Sequence, residues 1–121
     1  MSSISPKVQN QIAQLQQVQQ QLQTVLSQKA QYEIEIRETR RAEEELADLA
    51  DDAVVFQSVG TVMMQKPKAD VAASLKEKTE TLDLRVKQLE RQEQMLQGRF
   101  EHLQNQVKAA LEGGPAVPSA T

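Results

Sequence analysis

Two long polar segments, each with an apolar residue at every third or fourth place, flank a short valine-rich stretch, and this leaves the chain few ways to fold. The first repeat runs Val8, Leu15, Val18, Leu22, Val25, Tyr32, Ile36, Leu46, Ala50, with Gln11, Lys29, Thr39 and Glu43 in the places it skips and Ile12 just beside it. The second runs Leu75, Leu82, Val86, Leu89, Leu96, Phe100, Leu103, Val107, Ala110, with Thr79 and Glu93 in its gaps. Alternating steps of three and four set such residues along one stripe of an α-helix. Little else is available to bury: of 121 residues only Tyr32, Phe56 and Phe100 are aromatic. A chain of this kind buries a seam rather than a globular core, so the expected class is mostly α, an antiparallel coiled coil.

The boundaries follow from local signals. Ser5-Pro6 suits a helix start, serine as N-cap and proline at the first helical position. The first coiled-coil segment is expected over residues 1–51, its helix of about 45 residues spanning roughly 65 Å and stopping near Asp51-Asp52, whose carboxylates oppose the negative end of the helix dipole. Residues 52–68 read as a hairpin. Pro67 or Asp70 opens a second helix over 69–111, and Gly113-Gly114-Pro115 ends it, leaving 112–121 as an expected disordered tail.

Within the hairpin Val54, Val55 and Phe56 are consecutive, as are Val62, Met63 and Met64, with Gly60 between the two runs. Successive strand residues face opposite ways, so such a ribbon is apolar on both sides. Two strands alone are marginal in water. The ribbon is therefore expected to be an oligomerisation element covered by other chains; the plainer alternative folds it back on its own helices. Gly60 supplies the left-handed turn residue, in a candidate turn Ser58-Val59-Gly60.

Helices of similar length joined by a hairpin should pack antiparallel. Setting Leu46 beside Leu75 brings Thr39 to Leu82, Ile36 to Val86, Tyr32 to Leu89, Val25 to Leu96, Leu22 to Phe100, Val18 to Leu103 and Leu15 to Val107. The same rule sets Lys29 beside Glu93, an expected register-fixing ion pair. Toward the far ends glutamines replace charges: Gln14, Gln16, Gln17, Gln19, Gln20, Gln21 and Gln23 on the first segment, Gln92, Gln94, Gln97, Gln104 and Gln106 on the second. Mixed with Ile4, Val8, Ile12, Leu15, Leu103, Val107 and Leu111 they could accept many apolar partners, because an amide costs less to desolvate than an ion. The pattern alone favours the plainer reading of a solvated coiled-coil face. Gly98 inside the second segment costs about 1 kcal/mol against alanine.

Several function classes lose their usual marks. The net charge is −3 with no basic block, which argues against nucleic acid and anionic membranes as partners. No apolar run approaches the ~20 residues of a membrane span. The first residues lack a signal peptide's pattern and there is no cysteine, compatible with a reducing cytosol. His102 is the one histidine and has no companion at ligand spacing. No phosphate-binding loop or nucleophile–base set is legible, so no enzyme, metal or cofactor is expected.

A long helix, then Asp51-Asp-Ala-Val-Val-Phe-Gln-Ser-Val-Gly-Thr-Val-Met-Met-Gln65, then a helix with Leu84-Arg-Val-Lys-Gln-Leu-Glu-Arg-Gln-Glu93, resembles a beta-class prefoldin subunit of the archaeal type over Val8 to Leu111. The alpha class would carry two hairpins, and one is readable. The resemblance implies a cytoplasmic, ATP-independent holdase that passes unfolded or nascent polypeptides to a group II chaperonin. It implies that hairpins of two alpha and four beta subunits form a β-barrel platform from which six coiled coils project, their tips gripping clients. Val54, Val55, Phe56, Gly60, Val62, Met63 and Met64 would then belong to the platform. Val8, Ile12, Leu15, Leu103, Val107 and Leu111 would line the tip. The competing readings are a tethering coiled coil without chaperone activity and an RNA-binding helical arm, the latter at odds with the acidic balance.

Overall fold

Ser5 caps the first helix: its side-chain oxygen accepts from the Val8 N–H at 3.2 Å and its carbonyl from the Gln9 N–H at 2.9 Å. In the computed structural model, which describes residues 4–112, α1 (Pro6–Ala47) is followed by β1 (Val55–Val59), β2 (Val62–Lys66) and α2 (Lys68–Glu112). The helices are about 63 and 68 Å long at the usual rise. The tail expected over 112–121 lies outside the described residues beyond Glu112.

α1 ends at Ala47, four residues short of Asp51, so Ala50 is off the helix and exposed. The Asp48 and Leu49 N–H groups bond to Glu45 and Leu46 carbonyls at 3.3 and 3.1 Å, a tightened three-residue closure of the last turn. The physical reason lies in the sequence: Glu44, Glu45 and Asp48 crowd the negative end of the dipole, and the last turn holds no base. α2 begins directly after Pro67, whose carbonyl accepts from the Asp70 and Val71 N–H groups, and Asp70 lies in the favourable first turn.

The strands pair antiparallel from Val55↔Lys66 to Val59↔Val62. The turn is therefore the two residues Gly60-Thr61, which share only Gly60 with the expected Ser58-Val59-Gly60, because Ser58 and Val59 are paired in the ladder. Gly60 has φ +62° and among the described residues no other has positive φ, the sign pattern of a type II′ turn, which matches the right-handed twist of the strands.

The chain divides into two units, residues 29–88 and the remaining stretches of both helices. In the first, Ile36, Leu82 and Val86 form a buried cluster with Tyr32 against it, and Leu46, Val55 and Val71 form another with Ala72 and Leu75. These clusters set Ile36 by Val86 and Leu46 by Leu75, the register expected. Polar seam places are satisfied rather than empty. Thr39 donates to the Glu35 carbonyl at 2.8 Å, and Thr79 donates to Glu43 Oε1 at 2.7 Å. In the second unit Val18, Val25, Leu96, Leu103 and Val107 are buried, all of them stripe residues. Gln11 there donates to Gln106 Oε1 at 3.4 Å.

Candidate functional site

The most apolar exposed surface is the hairpin. Opposite residues of a ladder share a face, so Val55, Gln57 and Val59 look the same way as Lys66, Met64 and Val62, and Phe56 and Ser58 the same way as Gln65 and Met63. The first face is seated on the chain's own helices at its root. Val55 is only 8% exposed, packed with Leu46 and Val71, and Gln57 Nε2 donates to Ser74 Oγ on α2 at 2.8 Å. Burying one valine supplies about 1.5–3 kcal/mol toward seating the ribbon's foot. Val55 therefore departs from the expectation that all six apolar strand residues await sister chains. Its place one residue beyond the exposed Val54 turns it toward the helices.

The rest of the ribbon is open. Val54 is 66% exposed, Phe56 54% and Met63 65%, and Val59, Val62 and Met64 are exposed as well. Beside them runs a groove of about 580 Å³ lined by Leu46, Leu49, Val54, Phe56, Val71 and Leu75, among others. Isolated apolar residues on a surface are ordinary, but a contiguous set on a two-stranded ribbon marks an interaction surface. Both strand edges also carry unpaired backbone groups, since the sheet has only two strands.

The helix ends offer a smaller apolar surface. Leu103 and Val107 are buried, Leu103 to 5% exposure, because they occupy seam positions and the helices stay paired there. Val8, Ile12 and Leu15 are half-buried, while Leu111 and Ile4 are exposed. A tip surface thus consists of Ile4 and Leu111 with the partly open Val8, Ile12 and Leu15, over a floor of Leu103 and Val107. Farther along the same unit a glutamine-rich groove of about 730 Å³ is lined by Gln17, Gln20, Gln21, Gln92, Arg99 and Leu96, among others, with Met95 exposed at its rim.

Some residues that shape the site escaped sequence reasoning. Val71 completes the hairpin's seat from one turn ahead of the legible stripe. Lys68 donates to the Leu49 carbonyl at 2.6 Å. Arg40 pairs with Asp83 at 3.3 Å, though both side chains are too exposed for that pair to contribute much. Arg85 lies over the Tyr32 ring, 5.7 Å from its centroid. Among the described residues no group of three or more His, Asp or Glu is placed to hold a metal, and no helix is long and apolar enough to cross a membrane.

A family model described as a prefoldin subunit matches residues 9–114. A prefoldin subunit beta of Methanosphaerula palustris is 68% identical over 99% of both chains. One of Methanospirillum hungatei is 58% identical over 93% of this chain and 94% of that one. The crystal structure of the prefoldin beta subunit from Thermococcus strain KS-1 superposes with a TM-score of 0.85 at 42% identity, covering 98% of this chain and all of the other. The chain belongs to the prefoldin family. Its single hairpin and the likeness to beta subunits place it in the beta class of prefoldin, a family of chaperones rather than enzymes.

Proposed function

We propose that this prefoldin subunit is an ATP-independent holdase that assembles through its hairpin, captures unfolded or nascent polypeptides at its helix tips, and passes them to a group II chaperonin. The observation that carries the reading is the exposure of Val54, Phe56, Val62, Met63 and Met64 on a ribbon whose foot rests on the helices through Val55. A surface so apolar and so firmly held is suited to burial against sister chains. Its partners are an alpha-class subunit and further copies of this chain, two alpha with four beta, their ribbons closing a β-barrel that leaves no free strand edge.

The tips need no bond-making chemistry. Each offers modest apolar area, and several linked tips raise capture by effective concentration while each contact stays weak enough to release. Lys29 and Glu93 are proposed to hold the two helices in register. The setting is proposed to be the cytoplasm. A tethering coiled coil would need one defined partner helix, and nothing in the distal surface favours a single partner.

The test is aggregation of unrelated denatured proteins in the presence of the assembled complex. Suppression should be strong with the full chain and largely lost when residues before Ile12 and after Leu103 are removed. Trimmed complexes that suppress equally well would refute the tip assignment, and full-length complexes that fail would refute the holdase reading.

A further inference from the structure

Lysine is a poor choice for the first turn of a helix, because the positive end of the dipole repels it. Lys68 nevertheless opens α2. Its side chain turns back from that helix, is only 15% exposed, and places Nζ 2.6 Å from the Leu49 carbonyl and 3.6 Å from Asp51 Oδ1. The Asp51 side chain is fully exposed, so that pair is screened and the carbonyl is the partner that counts. α1, for its part, ends without a base in its last turn. A cation arrives instead from α2, on a carbonyl two residues beyond the end of α1.

Position gives this contact its consequence. The chain enters the hairpin through residues 48–54 and leaves it through Pro67 alone. The last rung of the ladder is Val55↔Lys66, and the Lys68–Leu49 bond lies just outside it. One side chain therefore ties the way in to the way out. Beyond Leu49 the entering segment also has the local bond from the Ala53 N–H to the Ala50 carbonyl, 3.0 Å. At the opposite end of the seat Gln57 is held by Ser74.

We propose that Lys68 is the positioning residue for assembly: by holding the Leu49 carbonyl it fixes the hairpin on its helices and presents the apolar ribbon already oriented for partner subunits. The inference rests on the reading of the ribbon as the assembly surface. Without the tie, residues 48–54 are loose, and joining the complex must order them, which weakens association without removing any interface contact.

Lys68→Met keeps the aliphatic stem and removes the ammonium; Lys68→Arg keeps a donor. Each is mixed with an alpha-class subunit and the concentration for half-assembly is measured by sedimentation, beside helix content and hairpin amide exchange of the unassembled chain. Lys68→Met should raise the half-assembly concentration about tenfold, the scale of one charge-assisted hydrogen bond, with faster exchange in β1 and unchanged helix content. Lys68→Arg should recover most of the loss. Wild-type assembly by Lys68→Met, or an arginine variant as impaired as the methionine one, overturns the positioning role alone. A wild-type chain that does not assemble overturns the reading of the ribbon, and this proposal with it.

Discussion

Gly60 and Gly98 are the same residue put to opposite ends. Gly60 holds φ +62° in the hairpin turn, where an L side chain is strained even though a Cβ would meet no atom within 4 Å. Gly60→Ala should therefore destabilise the hairpin by about 1–2 kcal/mol, read as faster amide exchange in β1 and β2 with the distal helices unaffected. Gly98 is an exposed residue of α2 with open space around its absent side chain. Gly98→Ala should stabilise the helix by about 1 kcal/mol, seen as a raised thermal midpoint; a lowered one would mean the glycine serves flexibility. Glycine identity was legible in both cases, but only the register Val59↔Val62 tells which two residues make the turn.

The helices were legible because a seam leaves a periodic trace. Val18, Val25, Ile36, Leu82, Val86, Leu89, Leu96, Leu103 and Val107 all stand in the sequence stripe, and all are buried. What the stripe could not give were contacts made once per molecule. Val71 and Lys68 serve the hairpin's foot rather than the repeat, and Gln57 meets Ser74 only after the ribbon has folded back. A lysine at the unfavourable end of a dipole was the one available hint for Lys68. At the tip, Leu103 and Val107 lie in the seam where their periodicity places them, so burial alone leaves Ile4 and Leu111, with parts of Val8, Ile12 and Leu15, as the open apolar surface. Leu82 is the firmest check on the proximal seam. Leu82→Ala should cost about 2–5 kcal/mol by chemical denaturation, whereas the exposed Leu84→Ala should cost well under 1 kcal/mol.

At the scale of the whole molecule, a chain that buries only a narrow stripe of apolar residues gains from company. The ribbon offers an apolar surface with two unpaired edges, and Val55 and Lys68 hold it ready, so association need not first order its root. The helix ends, by contrast, carry only small apolar contributions among glutamines, as weak and repeated capture requires. Native mass spectrometry of the chain with an alpha-class subunit, beside a Val62→Asp, Met63→Asp variant, bears on this most directly. The wild-type chain should form a six-membered complex of two alpha and four beta subunits, and the variant should remain outside it with its helix content intact. A wild-type chain that stays solitary with its ribbon protected, or a variant that joins as readily, would contradict the account.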